Sequence, residues 1–295
     1  MVDPTSDGPS SLDHERLQRA VHESPAAEVA VASGTRPRTF PLTPFYDAEK
    51  ESVVVTSPPA FAGKIEAVRE NPKLAVLFYA ADEPFVLCGR GRVRDDDLDA
   101  NSEYVQQLIA DEPPSPKKEG FTKSGSVLDS RVGRFLFGWY ALRVVVEIEP
   151  VEIVAIDGDG DSGPIPAWPE HGLGTDEAAS YDRLTLTVVD SEGWPTPRAV
   201  RGVDVDGERA RLDVPLSADD GQPACLLGHW HTPGLDKLGQ RLFRGRVRSA
   251  DTTDGRIGFE PGSTFSMRNQ TLLDRLKFIV QGKRRTRAYF ADREG

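Results

Sequence analysis

The residues best suited to chemistry lie in one stretch. Thr56 and Ser57 end a β-branched run, Pro58 and Pro59 turn the chain, and Lys64 follows in a segment, 60–70, whose Phe61, Ile65 and Val68 fall at helical spacing. Hydroxyls and an ammonium near the start of a helix, where backbone N–H groups lack partners, are the ingredients of an anion site. The glycine-rich signature of a phosphate-cradling loop is absent. These residues alone therefore read equally as an anion site or as an exposed lysine on an ordinary helix.

Other candidates are weaker. His229-Trp230-His231 puts two imidazoles on one face of a strand. A metal centre needs further ligands, and no carboxylate or cysteine cluster is spaced to supply them, so a solvated strand face is expected and no metal site. Trp139-Tyr140 reads as a core aromatic pair, with stacking on a flat ring as the alternative. The basic run Lys283-Arg284-Arg285-Thr286-Arg287 follows a helix expected over 272–280 and suits helix-dipole pairing or an anion contact. No arrangement of nucleophile and base stands out, and no catalytic residue is assigned.

Composition narrows the partners. The 295 residues carry a formal net charge of −11. That argues against a general nucleic-acid binder, which needs a basic face to displace counterions. Asp is abundant and Arg outnumbers Lys, a balance that resembles proteins of salt-loving archaea. Two cysteines, Cys88 and Cys225, make no disulfide framework and suit a reducing compartment. No apolar run approaches the length of a membrane span and residues 1–11 lack signal-peptide features, so a cytoplasmic protein without nucleic-acid or membrane partners is expected.

The elements that must position these residues are mostly strands. They are expected at 27–33, 39–46, 52–56, 74–79, 84–94, within 134–148, and at 151–156. A helix is expected at 12–24, another at 98–111, and a loop at 112–126. A Gly-, Pro- and Asp-rich stretch, 157–180, interrupts the pattern, and strands resume at 184–189, 197–205, 209–214, 224–230, 241–248 and 256–260. The organisation expected is a first barrel over 1–160 bearing the hydroxyl–lysine segment, a linker over 161–180, and a second barrel with a terminal helix over 181–295. The fold class is mainly β, a β-barrel with short helices.

The two halves resemble each other. Arg90-Gly91-Arg92-Val93-Arg94 and Arg244-Gly245-Arg246-Val247-Arg248 are identical, and each is followed by an aspartate, Asp97 and Asp251, at the same offset. Gly34-Thr35-Arg36-Pro37 and Gly193-Trp194-Pro195 each follow an apolar strand, and Ala75-Val76-Leu77 aligns with Ala224-Cys225-Leu226. Two matched barrels in one chain can pack like a fused homodimer. A monomeric pseudo-dimer or a homodimer is the assembly expected. The second half has neither the helix nor the lysine of the first.

The run from Ala30 to Pro37, then Val54 to Ser57, Gly63 to Pro72, Leu74 to Phe78 and Gly89 to Gly91 resembles the FMN-binding split β-barrel family, the group similar to pyridoxamine 5′-phosphate oxidase. The resemblance implies tandem split β-barrels forming an internal pseudo-dimer. It implies FMN as cofactor, with F420 or haem as alternatives, and a small-molecule redox substrate. It makes Thr56, Ser57 and Lys64 phosphate ligands, with Arg38 a further candidate. The family's arginine three residues after the proline is replaced by Phe40, whereas the second half has Arg198 at that place. A site shared between the halves would use both. The terminal pattern of true pyridoxamine 5′-phosphate oxidases is absent, so that substrate is not expected. A flavin-dependent oxidoreductase is the leading expectation, and a non-catalytic flavin- or haem-binding protein the alternative.

Overall fold

Small and β-branched residues fill the first strands, and their burial records where they go. In the computed structural model, which describes residues 13–79, 84–127, 130–156, 165–248, 256–268 and 272–294, the first half forms β1 (Ala27–Ser33), β2 (Arg36–Leu42), β3 (Pro44–Asp47), β4 (Ser52–Ser57), β5 (Lys73–Phe78), β6 (Phe85–Arg94) and β7 (Val144–Ala155). The second half forms β8 (Arg183–Val189), β9 (Pro195–Ala199), β10 (Gly202–Asp206), β11 (Arg209–Asp213), β12 (Pro223–His231), β13 (Leu238–Arg248) and β14 (Ile257–Arg268). Each set makes one seven-stranded antiparallel sheet, ordered β2-β1-β5-β6-β7-β4-β3 and β9-β8-β12-β13-β14-β11-β10. The orders are identical once β1 is matched to β8, β2 to β9, and so on. The chain is a mainly β protein of tandem split β-barrels.

Register makes the match residue by residue. Ala32 pairs with Pro37 and Val189 with Pro195, so the prolines are equivalent and Phe40 corresponds to Arg198. Both long β6–β7 and β13–β14 ladders slip at a glycine, Gly89 opposite Pro150 and Gly245 opposite Pro261. A Cβ on Gly89 would approach the Glu149 carbonyl at 2.9 Å, and one on Gly245 would collide with the Glu260 carbonyl, so both bulges require glycine. These bulges correct the alignment read from sequence. Gly245 corresponds to Gly89, not Gly91, so the identical pentapeptides lie two residues out of register. One pleat period separates them, which keeps each arginine on the same face. Cys225 likewise corresponds to Ala75.

Strands β1, β5, β8 and β12 are buried almost throughout. One face fills a barrel and the other meets the opposite half. Strand β2 packs on β8 and β12 while β9 packs on β1 and β5, a reciprocal contact of the kind a two-fold axis generates. Cys225, Leu227 and Leu242 join the core made by Val29, Val31, Leu74 and Val76. Polar bonds also cross. The Thr39 and Thr187 hydroxyls lie 2.7 Å apart, and the Asn71 amide donates to the Gly193 carbonyl at 2.9 Å.

The helices are α1 (His14–Glu23), α2 (Glu66–Glu70), α3 (Leu98–Asp111), α4 (Pro116–Val127), α5 (Arg131–Ala141), α6 (Thr175–Ala178) and α7 (Leu272–Glu294). Helices α4, α5 and α7 depart from the sequence expectation. The loop expected over 112–126 contains α4, begun by Ser115, whose hydroxyl accepts from the Lys118 amide, and by Pro116 in the first turn. The region expected as strand from 134 contains α5, capped by Ser130, whose hydroxyl accepts from the Gly133 amide at 2.9 Å. The last helix runs past 280 to Glu294 and takes in the basic run. Within the stretch expected as linker, Ile165, Trp168, Leu173 and Ala178 pack into the second core, and 157–164 lie outside the described residues. Among the described residues no helix is long and apolar enough to cross a membrane.

Candidate functional site

The segment from Thr56 to Lys64 leaves the end of β4 and packs Ala62 into the first core. Pro58 and Pro59 bar a continued strand, and Pro59–Lys64 forms a 3-10 turn broken at Phe61 (φ −124°). The short α2 follows without a side-chain cap. This corrects the expectation of one helix over 60–70 with a lysine near its start. Lys64 closes the 3-10 turn, so its ammonium does not share an anion site with a long helix's N-terminus.

What surrounds Lys64 is aromatic. Its ammonium lies 4.9 Å from the centre of the Phe40 ring and 5.9 Å from that of Phe61. Among the described residues it has no carboxylate or carbonyl partner, and burial pulls it down to about 8. Arg38 stands on the same face of β2 as Phe40 and reaches the Gly63 carbonyl at 3.4 Å, again with no carboxylate. Ser57 is buried and its hydroxyl donates to the Pro58 carbonyl at 3.3 Å, while Thr56 is half-buried. The structure therefore gathers Arg38 and Lys64 around Gly63, with Thr56 and Ser57 at the strand end that leads there.

Two cations missed by sequence reasoning belong to this neighbourhood. Ser57 pairs with Val144, which places Arg143 next to the hydroxyl end of β4. Burial pushes the Arg143 guanidinium below its ordinary range, and its nearest partners are the Tyr140 ring and carbonyl. Arg244 comes from the other barrel. It pairs with Cys225, and both Arg38 and Arg244 act on the Cys225 thiol, which burial pushes up to about 11.

Arg198 is not brought to Lys64. It sits at the position equivalent to Phe40, on the opposite side of the local two-fold, where it donates to the Pro197 carbonyl at 2.9 Å and acts on Cys88. Cys88 is the equivalent of Arg244. In the two pairs of equivalent positions, Phe40 with Arg198 and Arg244 with Cys88, the arginine thus comes from different strands at the two places. The second place also holds Glu152 and Asp190 near Cys88, a poorer setting for an anion.

Helices α5 and α7 roof the Lys64 segment. Phe61 stacks on Phe278 with centroids 5.6 Å apart, and Trp139 lies 6.2 Å from Phe61 and 5.3 Å from Phe278. Arg285 extends over Phe61 at 5.7 Å. The C-terminal end of α7 is tied down by Asp95, which accepts from Arg69, Tyr289 and Arg293.

The histidine pair departs from expectation. His229 is buried and its Nε2 lies 2.9 Å from Glu28 Oε1. The face expected to be solvated is the contact between the halves, and the partner carboxylate comes from β1. A cleft of about 540 Å³ between α1 and Pro113–Lys117 lies apart from all of this. Its lysine, Lys117, is already saturated by the Val21 and Pro44 carbonyls and Glu112.

No protein-family model matches the chain, and no curated protein matches it. Solved structures similar to about half of the chain include one described as a putative pyridoxamine 5′-phosphate oxidase from Listeria innocua, with 16% identity over 49% of this chain and 98% of that one (TM-score 0.32). Others are an FAD-binding protein from Mesorhizobium loti, with 19% identity over 49% of this chain and 92% of that one (TM-score 0.31), and a haem storage protein from Vibrio cholerae, with 14% identity over 48% and 93% (TM-score 0.29).

Proposed function

We propose that this chain binds a flavin mononucleotide beside Lys64 of its first barrel and serves as a flavin-dependent oxidoreductase. The observation that carries the reading is Lys64, a half-buried, desolvated lysine whose ammonium has no anionic partner among the described residues, grouped with Arg38 at the hydroxyl end of β4. A partly desolvated charge left unpaired is costly, and a phosphate dianion would supply the missing partner. Arg244 of the second barrel supports the same reading, because it and Arg38 both act on the Cys225 thiol, which adds positive charge on the Arg38 side of the site. The residues fit the phosphate end of the cofactor. Lys64 and Arg38 would hold its charge, and Ser57 and Thr56 would donate hydroxyl hydrogen bonds to its oxygens.

Bound flavin would supply the hydride or electron transfer, and the protein the anchoring and access control. The small-molecule redox substrate is open, with pyridoxamine phosphate not expected. F420 and haem are the rival cofactors, and a non-catalytic carrier the rival role. The acidic, arginine-rich composition favours a protein that works in concentrated salt inside the cell, as a monomeric pseudo-dimer or a homodimer. In such salt the Debye length falls to about 3 Å or less, so only close contacts such as those around Lys64 would hold an anion.

The test is the visible absorption of the protein purified in high salt. Oxidised flavin bands that bleach with a reduced nicotinamide are the expected result. A Soret band would replace flavin with haem, and a colourless protein that takes up no added FMN would sink the reading.

A further inference from the structure

Seven large apolar side chains are exposed among the described residues, and six of them lie on α5 and α7. Val132 and Phe135, three residues apart on α5, are 68% and 74% exposed, and Leu276 and Val280, four apart on α7, are 53% and 67% exposed. Residues at these spacings share a helix face. The two faces adjoin, because the Lys283 ammonium of α7 lies 3.7 Å from the Phe135 ring centre. On its other side α7 turns Phe278 onto Phe61, Gly282 onto Trp139 and Tyr289 onto Asp95, so the apolar stripe points away from the body of the protein.

Charge is segregated to the same place. Helix α5 has Arg131 and Arg134 and no acidic residue, and α7 has none from Leu276 to Phe290. Arg284 and Arg287 continue the Leu276–Val280 face by one and two turns. This happens in a chain of net charge −11. Scattered apolar residues need no explanation, but an apolar patch rimmed by one sign of charge does. A second copy in two-fold contact would set these arginines against themselves, and a head-to-tail contact would not close.

We infer that the exposed face of α5 and α7 docks on an anionic lipid surface. Val132, Phe135, Leu276 and Val280 enter the boundary between headgroups and acyl chains, and the arginines meet lipid phosphates. The helices lie on the bilayer and do not span it. The expectation of no membrane partner rested on the lack of a long apolar run, which does not bear on a helix that lies flat. The inference is independent of the cofactor reading.

Co-sedimentation of the full chain with vesicles tests it. One set is phosphatidylcholine alone, and the other contains about one-third phosphatidylglycerol. Two double variants at exposed positions, Phe135→Ser with Val280→Ser and Arg284→Glu with Arg287→Glu, are compared after thermal melts verify that they fold. The wild type is expected to sediment with anionic vesicles only, less so as salt rises, and each double variant to bind at least about tenfold more weakly. No sedimentation with anionic vesicles, equal sedimentation with neutral ones, or double variants that bind like the wild type would overturn it. So would self-association that the serine variant abolishes in a protein that ignores vesicles.

Discussion

Tyr79 and His229 hold equivalent positions in the two halves, and both reach the same carboxylate, Glu28. Glu28 pairs with Leu77 on β5 and its equivalent Thr185 pairs with Leu227 on β12, and Tyr79 and His229 each lie two residues farther along. The Tyr79 hydroxyl is 3.4 Å from Glu28 and 2.9 Å from the Thr185 hydroxyl, His229 is 2.9 Å from Glu28, and the Thr185 hydroxyl donates to Glu28. Two pairs of equivalent residues thus close one polar knot on the local two-fold, with different chemistry on its two sides.

Because that knot is buried, removing one member strands the others. Glu28→Ala and His229→Ala are each expected to cost about 3 kcal/mol in denaturant unfolding, and the double variant distinctly less than the sum. Additive losses would mean that the pair does not hold the halves together.

Lys64 gives opposite pH signatures with and without ligand. Its value near 8 lies below that of a free lysine, so across the window from about 8 to 10.4 the unfolded chain keeps a proton that the folded chain has released. Stability of the ligand-free protein therefore rises with pH there, and flavin phosphate binding weakens as pH climbs past 8. Lys64→Met is expected to remove both trends and to stabilise the ligand-free protein at neutral pH by about 1–3 kcal/mol. Thermal melts and FMN titrations against pH read both.

Glu147 on β7 shows the reverse sign. Burial pushes its carboxyl up, but hydrogen bonds from Arg92, Lys50 and Arg94 prevail and hold it at about 2. Its contribution is present above the ordinary glutamate value and is lost as pH falls from about 4.3 toward 2. Glu147→Gln is expected to cost about 2–3 kcal/mol at neutral pH, with the gap to wild type closing in acid. A gap independent of pH would contradict the assignment.

The central strands were legible because β-branched residues recur with clear breaks, and β1 matches its expected bounds. Helix α5 was not. Phe135, Phe137, Trp139 and Tyr140 favour strands locally, and the choice is made by the Ser130 cap and by Trp139 packing against Phe61 and Phe278. The extension of α7 was hidden by Gly282, which reads locally as a stop but here lets the helix close on Trp139. At the candidate site the hydroxyls and the lysine are contiguous and could be found. Arg244 and the Glu28–His229 contact depend on the packing of two barrels, and the latter joins residues 201 apart.

Asp95 governs the roof over Lys64. Burial pushes its carboxyl up, yet hydrogen bonds from Arg69 and Tyr289 and the charge of Arg293 leave it below the ordinary range. Asp95→Ala is expected to speed limited proteolysis within α7 about tenfold and to lower stability by about 2 kcal/mol. An unchanged cleavage rate would show that α7 is held elsewhere.

The most direct test of the account compares FMN with riboflavin, which differ only in the phosphate, on wild-type and Lys64→Met protein. Wild type is expected to bind FMN at least about tenfold more tightly than riboflavin, and the variant to lose about tenfold of that preference while Arg38 retains the remainder, since a charge-assisted hydrogen bond contributes about 1.5–3 kcal/mol. Equal affinities in the wild type, or a preference for FMN that is undiminished in the variant, would contradict a phosphate anchored at Lys64.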